Sequence, residues 1–172
     1  MSLSAFLETA DFIKTMANGA SVEIYTDGAA EPSNPGPAGS GFVVVHEGVE
    51  VGHWSDHLGI ATNNIAELTA AIRALEALDA LNRTDLSVVI VSDSQYVVNG
   101  FTKWLPRWKV NGWRGANGKP VKNRELWDQL IDVAARFPKL GWRHVYGHSG
   151  NKWNDRADQL ANAATLPIAR AA

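Results

Sequence analysis

The sequence predicts an α/β fold, in which a mixed five-stranded sheet is flanked by helices. Three observations support it. Short β-branched runs joined by tight turns come first, a long helix with an apolar stripe follows, and strands and helices then alternate. The short turns between the first three strands indicate an antiparallel meander. The order βββαβααβα therefore predicts helices on the faces of one mixed sheet.

Length and composition fit a single globular domain with a short appendage. The chain has 172 residues, of which 45% are hydrophobic and 20% are charged, so it can bury a core and is not wholly disordered. The absence of cysteine excludes disulfides, zinc ribbons and thiol nucleophiles. The net charge of −2 by itself disfavours a protein that binds nucleic acid through bulk charge.

The first twenty residues form a predicted extension. Apolar residues recur at helical spacing from Leu3 to Ala17, and Asn18-Gly19 would end such a helix. We expect residues 1–20 to be helical or disordered, lying on the domain or loose, with a docking helix as the alternative. Residues 21–165 are the predicted domain and 166–172 a tail. No segment resembles a secretory signal or a membrane span, which predicts a cytoplasmic protein with no membrane partner, expected to be monomeric.

The remaining elements follow from periodicity and turn residues. Strands are predicted at 22–26, 42–46, 49–54, 86–91 and 141–146, and a loop dense in glycine and proline at 28–41. Helices are predicted at 64–80, 94–99, 124–136 and 154–164, with an irregular Trp-rich stretch after the second. The nearly all-aliphatic run at 86–91 is typical of a strand buried on both faces.

Four carboxylates each have an ordinary structural explanation when taken singly. Asp27 could start an Asx turn, Asp93 could cap a helix, Glu67 could complete a capping box with Asn64, and Asp158 could be solvated. If the first and fourth strands are neighbours, however, Asp27 and Asp93 project from one edge of the sheet, and the first long helix can bring Glu67 there. Converging carboxylates repel one another unless a hard cation such as Mg²⁺ lies between them.

Several local motifs occur in a fixed order along the chain. They are Tyr25-Thr26-Asp27-Gly28, Asn34-Pro35-Gly36-Pro37, Thr62-Asn63-Asn64 with Glu67-Leu68, Ser92-Asp93-Ser94-Gln95-Tyr96, and Gly147-His148-Ser149-Gly150 leading to Asn154 and Ala157-Asp158. In this order and spacing they resemble a type 1 ribonuclease H in its bacterial form, within the ribonuclease H-like superfamily. The resemblance covers about residues 21–165.

The resemblance implies a strand order of 3-2-1-4-5 and an endonuclease that hydrolyses the RNA strand of RNA/DNA hybrids. Two Mg²⁺ ions, or Mn²⁺ in their place, would act in an in-line displacement that leaves 5′-phosphate and 3′-hydroxyl ends. Asp27, Glu67, Asp93 and Asp158 would be the metal-binding catalytic carboxylates. Asp155 is a rival for the fourth place, but the family pattern selects Asp158. His148 would be catalytic, as a proton shuttle or in product release.

The resemblance also implies how the protein would hold a hybrid. Asn34, Asn63, Asn64 and Gln95 match positions that contact the RNA strand, whose 2′-hydroxyls both donate and accept hydrogen bonds. Thr62 and Asn123 match positions that hold a DNA phosphate. Some relatives place arginine where this chain has Ile60, two residues before Thr62.

Residues 101–124, the basic segment below, carry seven basic residues and no acidic ones, whereas the rest of the chain has nine basic and eighteen acidic residues. The segment resembles the handle that grips DNA in the bacterial enzymes, and the alternative is a solvated segment with structural tryptophans. Its predicted contact residues are Trp104, Trp108, Lys109, Trp113, Arg114, Lys119 and Lys122.

Two other functions remain as alternatives. A catalytically silent hybrid-binding module is disfavoured, because binding alone gains nothing from clustered negative charge. A DNA-cutting relative on the same fold is disfavoured by the asparagine and glutamine residues suited to 2′-hydroxyls.

Overall fold

The structure is a computed structural model that describes residues 2–167, so residues 168–172 of the predicted tail lie outside the described residues. The strands are β1 (Ser21–Ala30), β2 (Gly36–His46), β3 (Val49–Ala61), β4 (Ser87–Ser92) and β5 (Leu140–His144). The helices are α1 (Leu3–Thr9), α2 (Asp11–Thr15), α3 (Asn63–Ala80), α4 (Gln95–Asn99), α5 (Leu105–Asn111), α6 (Arg124–Ala134) and α7 (Lys152–Ala163). A π-helical turn, Gly100–Trp104, joins α4 to α5.

The five strands form one mixed sheet in the order β3-β2-β1-β4-β5, which confirms the predicted fold class. β1 pairs antiparallel with β2 and parallel with β4, and β5 is parallel to β4. The main core lies on the sheet face that contacts α3 and α6, where Ile24, Phe42 and Trp127 are buried. A smaller cluster on the other face packs Tyr25 and Val91 against α7. Because β1 and β4 are parallel, both end at the same edge of the sheet.

The predicted loop at 28–41 is wrong, since only residues 31–35 lie outside the strands. The glycines there make room for helices instead of forming a turn. A Cβ on Gly28 would lie 2.3 Å from backbone atoms of α3, and one on Gly39 would lie 2.5 Å from the Ala161 carbonyl oxygen of α7. A Cβ on Gly41 would lie 2.7 Å from Leu160 Cβ. The glycines therefore let α3 and α7 approach the strands closely.

The prediction of an irregular Trp-rich stretch is also wrong, because this part of the chain is helical as far as Asn111. α4 continues through the π-helical turn into α5, which ends at Gly112 with φ = 76°. Trp108 is only 8% exposed, and its ring lies edge-on to Trp127 at 5.3 Å. The tryptophans thus attach this helical stretch to the core, a tertiary effect that local propensity does not show.

The N-terminal helices pack on the domain. Phe6 and Ile13 are fully buried, and the Phe6 ring lies 5.4 Å from Phe42 in an edge-on geometry. The Arg83 guanidinium donates to the carbonyl oxygens of Ile13 (2.6 Å) and Ala17 (3.0 Å). The described part of the extension therefore lies on the domain with its apolar face in the core. The division of the chain at residues 20 and 165 stays a prediction.

Candidate active site

Three carboxylates from distant parts of the sequence meet at the sheet edge where β1 and β4 end. Asp27 lies on β1, Glu67 on α3 and Asp93 directly after β4, and each offers an oxygen within 4.8 Å of the others. The parallel pairing of β1 with β4 brings the two aspartates together. The close approach of α3 at Gly28 delivers Glu67 to them.

Neither Glu67 nor Asp93 has the capping role that would explain it otherwise. Thr62 caps α3, its Oγ1 accepting from the Ile65 backbone N–H at 3.2 Å. Ser94 caps α4 in the same way, accepting from Val97 N–H at 3.2 Å. The capping explanations for both carboxylates are therefore wrong.

The electrostatics of the three carboxylates disfavour their joint ionisation. Burial raises the pKa of Asp27 to about 7, and the charges of Asp93 and Asp158 add to the rise. Burial, followed by the charge of Asp27, raises the pKa of Glu67 well above its usual range. The pKa of Asp93 is also raised, first by burial. Desolvated like charges at this spacing call for a positive ion between them.

Asn154 on α7 supports Asp93, a role that sequence reasoning did not assign. It is 2% exposed, and its Nδ2 lies 3.4 Å from Asp93 Oδ2, a hydrogen bond that lowers the pKa of Asp93. Asn154 lies one helical turn before Asp158, so both are on the same face of α7, and this spacing could have indicated its role. Gly147 also touches Asp93, since a Cβ there would lie 2.8 Å from Oδ2.

The fourth predicted carboxylate lies beside this trio and not within it. Asp158 is half-buried on α7, and its charge raises the pKa of both Asp27 and Asp93. Its rival Asp155 lines a separate surface cleft together with Glu50 and Arg156. Of the two, Asp158 is the one whose charge acts on the trio.

His148 lies in the exposed loop between β5 and α7, with a left-handed backbone at φ = 57°. When protonated, His148 lowers the pKa of Asp93, with a smaller effect than burial and the Asn154 hydrogen bond. The loop is tied by the Ser149 hydroxyl, which donates to the Tyr146 carbonyl oxygen at 2.6 Å.

The carboxylate site fits a hard divalent cation. Its donors are all oxygens, and buried Glu67 Oε2 and Asn154 Oδ1 have no hydrogen-bond partner among the described residues. Mg²⁺ and Mn²⁺ prefer such oxygen donors. An unpaired buried carboxylate oxygen is costly, and a bound cation would remove that cost.

The residues predicted to contact an RNA strand surround the loop before β2 and the starts of α3 and α4. Asn34 Oδ1 accepts from Asn63 N–H at 3.0 Å, and Asn63 Oδ1 accepts from Ala30 N–H at 2.7 Å. Both side chains are exposed, as are Asn64 and Gln95. The two linked asparagines therefore hold the loop against α3 with their amide NH₂ groups at the surface.

Thr62 and Asn123, predicted to hold a DNA phosphate, have different local roles. Thr62 caps α3, whereas Asn123 Nδ2 donates to the Tyr96 hydroxyl at 3.2 Å. Ile60, at the position where some relatives have arginine, is 74% exposed.

The basic segment presents its cationic side chains to solvent. Lys109, Arg114, Lys119 and Lys122 are exposed. The three tryptophans differ in their surroundings: Trp104 is 37% exposed, Trp108 is buried, and Trp113 lies under the Arg124 guanidinium at 4.8 Å. Burial leaves Trp108 little surface to offer a nucleic acid, so its contacts are those of a support for the segment.

The strand order and the acidic cluster at the edge of the central strands define a ribonuclease H-like fold. A family model described as RNase H matches residues 19–165. The chain is 46% identical over 142 residues to a ribonuclease H of Pseudomonas putida, covering 83% of this chain and 91% of that protein. It is 47% identical over 145 residues to a ribonuclease H of Granulibacter bethesdensis, covering 84% and 92%.

Solved structures agree with this match. LC11-RNase H1, solved in complex with an RNA/DNA hybrid, superposes with a TM-score of 0.67 at 33% identity, covering 84% of this chain and 96% of that one. The RNase H1 of the archaeon Halobacterium salinarum gives a TM-score of 0.63 at 31% identity, covering 84% and 97%. The chain belongs to the ribonuclease H family, and its bacterial relatives confirm the predicted resemblance to a bacterial type 1 enzyme.

Proposed function

We propose that the protein is a divalent-metal-dependent endonuclease that hydrolyses the RNA strand of RNA/DNA hybrids. The observation that carries this proposal is the trio of buried Asp27, buried Glu67 and half-buried Asp93, placed at the end of the central strands of a ribonuclease H fold. The similarity to a family member solved with an RNA/DNA hybrid supports the substrate.

Asp27, Glu67, Asp93 and Asp158 are the residues that would hold two Mg²⁺ or Mn²⁺ ions. Such ions supply an activated water and stabilise the leaving 3′ oxygen of an in-line displacement, which leaves a 5′-phosphate and a 3′-hydroxyl. The protein in turn supplies carboxylates that are fixed before the substrate arrives. Burial restricts Asp27 and Glu67, and the Asn154 hydrogen bond restricts half-buried Asp93, so little reorganisation is needed.

His148 is the group suited to moving a proton near the reacting phosphate. It is exposed on a loop and close enough to Asp93 to affect its pKa. Histidine is a common general acid and base in enzymes. We propose that His148 assists proton transfer or product departure, and that the carboxylates remain essential without it.

Binding of the hybrid divides between two surfaces. The exposed amides of Asn34, Asn63, Asn64 and Gln95 would read 2′-hydroxyls of the RNA strand, and the basic segment would bind phosphates of the DNA strand. Thr62 and Asn123 would hold one DNA phosphate. In this proposal the basic segment binds the substrate and the acidic remainder of the chain carries the cleavage site.

The decisive experiment compares three labelled substrates, an RNA/DNA hybrid, duplex RNA and duplex DNA, with and without Mg²⁺. We expect Mg²⁺-dependent cleavage confined to the RNA strand of the hybrid, and end analysis should show 5′-phosphates. Asp27→Asn should abolish cleavage, whereas Asp155→Asn, which changes the aspartate outside the trio, should retain it. Binding without cleavage would favour the silent module, and cleavage of duplex DNA alone would favour the DNA-cutting alternative.

Location and assembly state remain predictions. No helix within residues 2–167 is long and apolar enough to cross a membrane. We propose a monomer in the cytoplasm, and sedimentation of the purified protein at micromolar concentration tests the monomer.

A further inference from the structure

We propose that Tyr146 contacts the nucleic acid beside the cleavage site and helps to position the scissile strand. This inference rests on the proposed function and adds a residue to it. Tyr146 follows β5 at the sheet edge that carries Asp93. Among aromatic side chains of the described residues it is the most exposed, at 72%, ahead of Phe12 and Trp104.

The tyrosine ring is held in place although it is exposed. It lies edge-on to the His144 ring, with centroids 5.0 Å apart and planes at 88°. Nε2 of His144 lies 3.2 Å from the carbonyl oxygen of Asp93. One side chain therefore connects the tyrosine ring to the backbone of a catalytic carboxylate. A ring held in this way loses little conformational freedom when it binds a ligand.

The contacts of the residues next to Tyr146 indicate which surfaces it lies near. Val145 packs in the cluster under α7, and Gly147 lies against Asp93 Oδ2. On the opposite face of β5, Trp142 stacks on Phe101, the first residue of the basic segment, at 4.6 Å. Along the chain, Tyr146 therefore lies between Trp142, which touches the first residue of the basic segment, and Gly147, which touches Asp93. In this proposal a duplex that reaches the carboxylates and the basic segment passes close to Tyr146.

The chemistry of tyrosine suits a contact with a nucleic acid at this place. Its ring offers an apolar face to a ribose or to the edge of a base, and its hydroxyl can exchange a hydrogen bond with a 2′-hydroxyl. Single exposed aromatic residues are common on proteins. Tyr146 is distinguished by its attachment to His144 and by its position one residue from Gly147, at the carboxylates.

Steady-state cleavage of one short hybrid tests the contact. For Tyr146→Ala we expect KM to rise about ten-fold, in the range found when one stacked aromatic is removed, with kcat changed less than about two-fold. Tyr146→Phe then identifies the group: a wild-type KM assigns the contact to the ring, and a raised KM assigns it to the hydroxyl. Phe12→Ala is the matched control, an exposed aromatic on α2 whose removal should leave both constants unchanged.

A direct readout places a photoreactive benzoylphenylalanine at position 146 in the Asp27→Asn background, so that the hybrid stays intact. We expect crosslinks to the RNA strand within a few nucleotides of the wild-type cleavage site. An unchanged KM for Tyr146→Ala would overturn the inference, as would a fall in kcat at unchanged KM, which would make Tyr146 only a support for His144. If the wild-type protein fails to cleave hybrids, both the proposed function and this inference are refuted. Wild-type cleavage with an unaffected Tyr146→Ala variant refutes this inference alone.

Discussion

Replacing Gly28 with alanine should move Glu67 on α3 away from Asp27 on β1. A Cβ at this position would lie 2.3 Å from the Ala66 carbonyl carbon and 2.3 Å from the Glu67 backbone nitrogen. Ordinary contacts between such atoms are about 3.5–4.0 Å. The atoms in the way are backbone, so α3 must move away from β1 by roughly 1 Å or more.

This displacement predicts effects on stability and on activity of different size. Overpacking of this kind costs about 1–3 kcal/mol of unfolding free energy, or a fall in Tm of roughly 2–12 °C for a chain of this length. Glu67 moves with α3, and misplacement of a catalytic group by about 1 Å can cost on the order of 100-fold in rate. Gly28→Ala should therefore fold with a lowered Tm and cleave hybrids at a few per cent of the wild-type kcat or less.

Thermal unfolding by circular dichroism and single-turnover cleavage measure the two effects on the same preparations. Gly141→Ala is the matched control, because it also lies in a strand but its Cβ would meet only Val89 Cγ2 at 3.8 Å. Its stability should change by less than about 0.5 kcal/mol. The reasoning is refuted if Gly28→Ala keeps the wild-type Tm and kcat, or if the control loses as much.

Four further predictions follow from the same structure. In EDTA, Asp27→Asn should stabilise the protein at pH 8 and not at pH 4. The pKa of the Asp27 carboxyl rises from 3.8 to about 7 on folding, so the stability that this group contributes below pH 3.8 is lost as the pH rises through 7. An asparagine does not ionise and so avoids this loss. At 1.36 kcal/mol per pKa unit the gain is at most about 4 kcal/mol by urea unfolding, and a pH-independent difference would contradict the linkage. His148→Ala should lower kcat in single-turnover assays without abolishing cleavage, so either an unchanged kcat or complete loss counts against its proposed role. Neutralising Lys109 and Arg114 together should reduce the slope of log K against log salt by up to about 2, and an unchanged slope would argue against a phosphate contact. Phe6→Ala should lower the unfolding free energy by about 3–5 kcal/mol, whereas loss of less than about 1 kcal/mol would show that the N-terminal helices are not part of the core.

Local periodicity predicted most strands and helices because an element that buries one face must place apolar residues at the spacing of that face. The stripe of α3 and the aliphatic run of β4 belong to this class, and the structure places both within two residues of the predicted bounds. Where a residue type has two possible structural roles, the local pattern predicts the more common role. Gly28 and Gly41 therefore suggested a loop, although they are strand residues whose missing side chains leave room for α3 and α7.

The carboxylates of the candidate active site were predicted from their motifs, and their proximity depends on long-range pairing. Asp27 and Asp93 are 66 positions apart in the chain and meet because β1 and β4 are parallel neighbours. Asn154 adds a hydrogen bond to Asp93 across 61 positions. No local pattern contains such a contact, because it depends on how α7 crosses the sheet.

Although α5 was missed, the residues alone predicted the five strands, the acidic residues of the candidate site and the separation of a basic segment from an acidic remainder. These follow from side-chain type and spacing, which act locally along the chain. Four features became visible only in the folded chain: the glycines that make room for helices, the burial of Trp108, the position of Asp158 outside the trio, and the contact of the Tyr146 ring with His144. Each of these depends on the distance between elements remote in sequence, and the packing of α3 and α7 against the sheet sets that distance.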